Sequence, residues 1–118
     1  RDPRGALARA VGWTRPGGIV HAEVPSARWL LARGLNAWYR LTGQDLVTNT
    51  SPMHNPYHLY EFTVHSFEAA VASLPCRVER WEAWTGDVMA PRPLRAVLGW
   101  VMERTDTGMQ LAVWLRKR

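Results

Sequence analysis

The polar residues best able to do chemistry are concentrated in the stretch 49–61. Two histidines lie there, His54 and His58, and they are accompanied by Asn49, Ser51, Asn55, Tyr60 and Glu61. Because imidazole has an unperturbed pKa of about 6.5, either histidine can accept a proton at neutral pH and act as a general base. The simpler alternative is that each histidine hydrogen-bonds the backbone of a long loop and fixes its path.

A metal site is a competing interpretation of the same two histidines. They are four residues apart, and further donors are available in His21, His65, Glu61 and Cys76. Pro56 lies between the two histidines, however, and interrupts the helix on which an H-x-x-x-H pair binds zinc best. The sequence also contains no C-x-x-C or H-E-x-x-H motif. We therefore expect no metal ion.

A second set of candidate polar residues lies at the end of the stretch 14–26. A helix is predicted to end at Pro16-Gly17-Gly18, a β-branched run follows over 19–24, and Pro25-Ser26 ends it. Helix, tight turn and buried strand form the repeating step of an open α/β sheet. Ligands of such sheets bind beyond the carboxyl ends of the strands, so Glu23 and Ser26 are candidate substrate-binding residues. The alternative for Glu23 is an ion pair with an arginine.

The elements that would position these residues follow from hydrophobic periodicity. Helices are predicted over 3–14, 27–41, 63–74 and 94–102, and strands over 19–24, 76–84 and 109–116. Residues 109–115 are apolar on both faces, which is typical of an interior strand. Residues 76–84 interleave charges, which is typical of a sheet edge. We therefore expect an α/β fold in which the last strand is central, antiparallel to 76–84, and helices cover the faces.

Composition limits the possible classes of protein. A chain of 118 residues with 47% hydrophobic and 21% charged residues is one globular domain at most. No apolar run reaches the roughly 18 residues of a membrane span. The single Cys76 excludes an internal disulfide and favours a reducing, cytoplasmic compartment. The net charge is +5, but the basic residues are scattered apart from those at 116–118, which argues against a nucleic-acid surface.

Seven tryptophans are spread along the chain. Because tryptophan buries a large apolar area, we predict that most of them pack in the core. Trp29 and Trp38 fall within 27–60, the segment expected to cover the ligand-binding end of the sheet. For these two, an aromatic substrate pocket is as good an explanation as packing.

Several short motifs, taken in order, resemble the second half of class I S-adenosylmethionine-dependent methyltransferases. They are Asp2-Pro3, Arg15-Pro16-Gly17-Gly18, Glu23-Val24-Pro25 and His58-Leu59-Tyr60-Glu61-Phe62-Thr63. In that family an Asp-Pro pair follows the fourth strand, and a Pro-Gly-Gly turn precedes the fifth strand. A segment similar to residues 58–63 opens the next helix. The resemblance covers nearly the whole chain, with Trp13-Thr14 where the family often has Val-Leu. It implies the C-terminal half of a Rossmann-like sheet, similar to small-molecule and ubiquinone-biosynthesis methyltransferases.

The resemblance also implies roles for the polar residues. Residues 27–60 would form a helix-plus-loop lid over the pocket, and His58 or His54 would act as the base for a small-molecule or lipid-like acceptor. The acceptor would contact Glu23, Ser26, Asn49 and Tyr60. The family's cofactor site, a Gly-rich turn and a strand-terminal acid, has no counterpart here, since the chain contains no G-x-G. We therefore expect a C-terminal fragment, inactive alone, whose missing N-terminal half binds S-adenosylmethionine.

Two other classes of function remain open at this point. The first is a non-catalytic α/β interaction module, in which the long loop and a Trp-rich surface hold a partner protein. The second is a basic nucleic-acid-binding domain. A Gly-rich turn in the sequence upstream would support the enzyme, and its absence would support the module.

The lid hypothesis makes a prediction about His58. In the longer protein, His58→Ala should lower turnover by about 10²–10⁴-fold, because a base or positioning group is lost, while thermal stability changes little. His54→Ala serves as the companion variant, and a larger effect there would assign the role to that residue. A His58→Ala protein that keeps its turnover and loses several degrees of melting temperature would make His58 a structural residue.

Overall fold

The computed structural model describes residues 2–48, 59–86 and 90–118. This part of the chain contains four α-helices and three β-strands. In chain order they are α1 (Pro3–Trp13), β1 (Ile19–Pro25), α2 (Leu30–Leu41), α3 (Val64–Val71), β2 (Cys76–Trp84), α4 (Arg92–Thr105) and β3 (Gln110–Lys117). None of the helices in these ranges is both long and apolar enough to cross a membrane.

The three strands form one antiparallel sheet in the order β1-β3-β2. Gln110 of β3 is opposite Pro25 on one side and Trp84 on the other. The pairing of β2 with β3 is interrupted by a register shift between Val78 and Arg80. The predicted mixed α/β fold, with the last strand central and helices beside the sheet, is therefore confirmed.

Local hydrogen bonds explain where two of the helices begin. The Asp2 carboxylate accepts a hydrogen bond from the Gly5 backbone N–H (2.8 Å), and proline occupies the first turn of α1. At α3, Thr63 and Ser66 form a reciprocal capping box. These caps satisfy backbone donors that have no partner inside the helix.

The C-terminal basic residues hold α1 and the following turn against the sheet. Lys117 Nζ donates to Thr14 O (2.7 Å), just beyond the end of α1, where the helix dipole favours a cation. Arg116 donates to Gly17 O (2.8 Å) and pairs with Glu79 on β2. The hydrogen bond from Arg116 holds the pKa of Glu79 below its usual value.

The core lies on one face of the sheet, where α1 and α3 pack against the strands. The alternate residues of β3 supply its centre, and the buried cluster comprises Val11, Phe67, Val71, Cys76, Leu111, Val113 and Leu115. Val20, Ala22 and Val24 of β1 pack against it. The strand period of two thus places every second residue of β1 and β3 in the same core.

The opposite face of the sheet carries polar and charged side chains of β1 and β2 around Trp114 of β3. His21 of β1 stacks on Trp114 of β3 with ring centroids 4.6 Å apart. The Arg80 guanidinium of β2 lies over the same indole, 5.1 Å from its centroid, and pairs with Glu82 (2.7 Å). A cation over an indole is favourable, so the three strands are also tied together across this face.

The prediction that most tryptophans pack in the core is wrong for Trp13, Trp84 and Trp100, which are exposed. Trp38, for which packing and a substrate pocket were equally good explanations, is exposed as well. The apolar faces predicted for α2 and α4 likewise do not all point to the core, since Leu35, Leu94 and Val97 are exposed. Periodicity identifies which residues share a helix face but not which object covers that face.

The central position of β3 predicts a large effect of truncating Leu115, which is fully buried. Leu115→Ala should destabilise the fold by about 2–5 kcal/mol, because it leaves a cavity in the core. Leu94→Ala, at an exposed position on α4, is the matched control and should change stability by about 0.5 kcal/mol or less. Chemical denaturation measures both, and equal effects would contradict the assignment of the core.

Candidate functional site

The carboxyl end of β1 meets the chain that leads into α3. Phe62 N–H donates to Pro25 O (2.9 Å), and Ala27 N–H donates to Phe62 O (2.9 Å), which makes a short parallel bridge between Ser26 and Phe62. This bridge brings Tyr60 and Glu61 beside the strand end. The structure therefore joins two of the segments that the sequence singled out, although they are more than 30 residues apart.

Ser26 is only 4% exposed and is engaged in the turn that follows β1. Its backbone N–H donates to Met109 O (3.0 Å), and its hydroxyl oxygen accepts a hydrogen bond from Arg28 N–H (3.2 Å). A serine that bonds the backbone two residues ahead stabilises a turn. The contacts of Ser26 thus fix the direction in which the chain leaves the sheet.

Glu23 lies on the polar face of β1, opposite to the side that Ser26 occupies. Its side chain is mostly exposed, and its Oε1 is 3.7 Å from His21 Nε2. The structure thus gives Glu23 a histidine neighbour where the sequence suggested an arginine. Since residues 23 and 26 differ by an odd number along the strand, the structure does not bring these two candidates together.

Tyr60 is the third candidate that falls within the described residues. It is exposed, and its ring centroid lies 6.3 Å from that of Phe62. Phe62 in turn lies 5.8 Å from the buried Phe67 ring, so an aromatic series connects the strand end to the core. The remaining candidates, Asn49, His54 and His58, lie outside the described residues.

Trp29 is a feature of this region whose role the sequence left open. Its indole nitrogen is buried and has no hydrogen-bond partner among the described residues. It begins α2, and the next residue, Leu30, donates its N–H to Thr107 O (3.1 Å) on the α4–β3 turn. A buried donor without a partner is costly, so the Trp29 N–H is available to an acceptor atom from outside these residues.

The α4–β3 turn packs closely against the end of β2. Asp106 has a left-handed backbone conformation (φ 52°), and Gly108 lies two residues further along the chain. A Cβ on Gly108 would lie 2.5 Å from the Trp84 carbonyl oxygen, so no other residue fits without a shift of the backbone. Two close backbone approaches therefore shape this end of the sheet, one between Ser26 and Phe62 and one between Gly108 and Trp84.

Neither a metal centre nor a reactive thiol is found in the described part of the chain. No group of three His, Cys, Asp or Glu residues there is placed to hold a metal ion. Cys76 is buried, and burial raises the pKa of its thiol, which disfavours the nucleophilic thiolate. The basic residues at 116 and 117 are engaged within the fold, which weakens the nucleic-acid alternative further.

An apolar pocket of about 440 Å³ lies between α1, β1 and α3. It faces the core side of β1 and includes Leu7, Ala10, Val24, Phe62 and Phe67 in its lining, with Arg4 at the N-terminal turn of α1. A pocket with so few polar groups can bind an apolar group, but it contains few side chains that could catalyse a reaction. His21, whose imidazole lies near Glu23, also contributes to the lining of this pocket.

Comparisons with known proteins assign no family to the chain. No protein-family model matches it, and no curated protein sequence matches it significantly. Any functional interpretation therefore depends on the residues themselves, on their resemblance to a known pattern and on the geometry described above.

Proposed function

We propose that this chain is the C-terminal part of a class I S-adenosylmethionine-dependent methyltransferase that acts on a small-molecule or lipid-like acceptor. The observation that carries the proposal is the sheet order β1-β3-β2, in which the last strand lies between the other two and is antiparallel to both. The resembling family places its last strand between its fifth and sixth strands. The Arg15–Gly18 turn precedes β1, as it precedes the family's fifth strand.

The free edge of β1 supports a sheet that continues beyond this chain. Ser26 N–H donates to Met109 O, and Lys117 N–H donates to Gly18 O, so the even-numbered residues of β1 face β3. The backbone N–H and C=O groups of successive strand residues point in opposite directions, so those of Ile19, His21 and Glu23 point away from β3. No described residue pairs with these groups.

The two edges of the sheet differ in how they are protected. A register shift in β2 discourages pairing with a further strand, and so do its charged residues. These are Arg77, Glu79, Arg80 and Glu82. β1 has no register shift in its pairing and no lysine, and its only proline is its last residue. Its edge is therefore suited to another strand, and the apolar pocket beside it would be covered by the chain that carries that strand.

The residues of this chain would supply the acceptor side of the reaction. S-adenosylmethionine provides a methyl group on a sulfonium, which an acceptor atom displaces directly, so the protein contributes mainly alignment and a base. The Gly-rich turn and acid that hold this cofactor in the family are missing from the 118 residues. The bridge between Ser26 and Phe62 would position Tyr60 at the mouth, and residues 27–60 would form the lid with Asn49, His54 and His58.

Cofactor binding gives the direct test of the proposal. Calorimetry should show no measurable S-adenosylmethionine binding to the 118-residue chain and clear binding to the longer protein. Low-micromolar binding by the chain alone would mean that the cofactor site has been misplaced. A longer protein that does not bind the cofactor would contradict the enzyme and favour the interaction module.

A matched pair of proline substitutions tests the continued sheet. In the longer protein, Glu23→Pro should lower the melting temperature by several degrees more than Ala83→Pro. Both residues direct their N–H away from β3, but only the N–H of Glu23 would bond a further strand. Comparable losses for the two variants would show that β1 is a true edge, and the proposed half-sheet would be wrong.

A further inference from the structure

The core is incompletely filled over β1. Val20, Ala22 and Val24 of this strand face the core, but each of them is only half-buried. The alternate residues of the neighbouring β3 on the same face of the sheet are at most 3% exposed. Since protein interiors are close-packed, the difference between the two strands marks a space over β1 that an occupant could fill.

Short side chains produce this space. The apolar pocket of about 440 Å³ lies over β1 between α1 and α3. Four of its lining residues are alanines, namely Ala6, Ala10, Ala22 and Ala70. Because an alanine side chain ends at Cβ, the two helices do not meet above the strand. Arg4 and Ala6 are exposed, so the pocket reaches solvent near the start of α1.

The volume of the pocket suits a small molecule better than another element of the fold. One turn of a helix about 10 Å in diameter and about 5.4 Å in pitch would already occupy about 420 Å³. A further strand beside β1 would lie about 4.8 Å away in the plane of the sheet, where it would close the side of the pocket without filling it. Ligand pockets are typically about 300–1,000 Å³ and mostly apolar, as this one is.

One cationic group is placed to bind an anionic head group. Arg4 lines the pocket, and none of the described lining residues is acidic. Its guanidinium donates to Ser73 Oγ (2.6 Å), which leaves further N–H donors, and it forms no ion pair with a described acidic residue. The other polar lining residues are engaged, since Ser66 belongs to the capping box of α3 and the His21 ring stacks on Trp114.

We propose that this pocket binds an unbranched aliphatic carboxylate, such as a medium-chain fatty acid. The alkyl chain would lie over β1 and cover its half-buried valines, which removes apolar surface from water. The carboxylate would remain at the mouth, where the planar guanidinium of Arg4 can donate two parallel hydrogen bonds to it. This binding goes beyond the proposed function, because it needs neither the cofactor nor a methyl acceptor.

The test is calorimetry of the intact protein with hexanoate, octanoate and decanoate, each below the concentration at which it forms micelles. The dissociation constant should fall roughly fourfold for each added methylene group until the pocket is full. Octyltrimethylammonium has the same alkyl chain as a nine-carbon acid but a cationic head group, so it should bind roughly tenfold more weakly than octanoate. Octanoate should also raise the melting temperature of the protein.

Two variants separate the alkyl chain from the head group. Ala22→Leu places a larger apolar side chain over β1, so it should weaken octanoate binding roughly tenfold or more while the ligand-free protein keeps its melting temperature. Arg4→Gln should weaken octanoate binding roughly fivefold and leave the binding of 1-octanol unchanged. Arg9→Gln is the matched control, because Arg9 is exposed on α1 and does not line the pocket, and it should bind octanoate like the wild type.

Several results would overturn the proposal. Among them are an affinity that does not depend on chain length, and equally tight binding of octyltrimethylammonium and octanoate. Octanoate binding that survives Ala22→Leu would assign the ligand to another place. A wild type that binds no octanoate, together with a lower melting temperature of Ala22→Leu, would mean that another part of the protein fills the pocket. Should Ala22→Leu fail to fold, the two arginine variants carry the test, since they remove only exposed charge.

This proposal and the proposed function fail separately. A protein that binds octanoate but not S-adenosylmethionine contradicts the methyltransferase alone. A protein that binds S-adenosylmethionine but not octanoate contradicts the carboxylate site alone.

Discussion

The fold depends on one constraint, which is that β3 is apolar on both faces and must be covered on both edges. Leu111, Val113 and Leu115 are buried against α1 and α3, while Trp114 on the other face is packed between His21 and Arg80. Because β3 lies between its two neighbours, β2 and β1 are the edge strands. The charges of β2 are then tolerated at its edge, and the turn that precedes β1 is fixed by residues at the C-terminal end of β3.

The sequence predicted most of the backbone because the strands differ so clearly in composition. The run 109–116 has no charge until its last residue, whereas 76–84 alternates charge with apolar residues, and this contrast alone orders the sheet. The N-terminal ends of α1 and α3 could also be predicted, because Asp2-Pro3 and Thr63 are typical of helix starts. The close approach of Gly108 to Trp84 could not be predicted, because it depends on a contact between elements distant in sequence.

The sequence predicted the candidate site less completely. The joining of Ser26 to Phe62 depends on backbone hydrogen bonds, which leave no trace in residue type. The orientation of Glu23 away from Ser26 follows from strand alternation, but only once the strand is known to extend to Pro25. The exposed tryptophans were not predicted either, since the large apolar area of a side chain does not determine whether the fold covers it.

The surfaces that the fold leaves uncovered are not equivalent. The free edge of β1 combines unpaired backbone groups with an apolar pocket, which suits another part of a protein domain. Helix α2, by contrast, exposes Leu35, Trp38 and Leu41 but no unpaired strand backbone, so a partner could contact this face only through side chains.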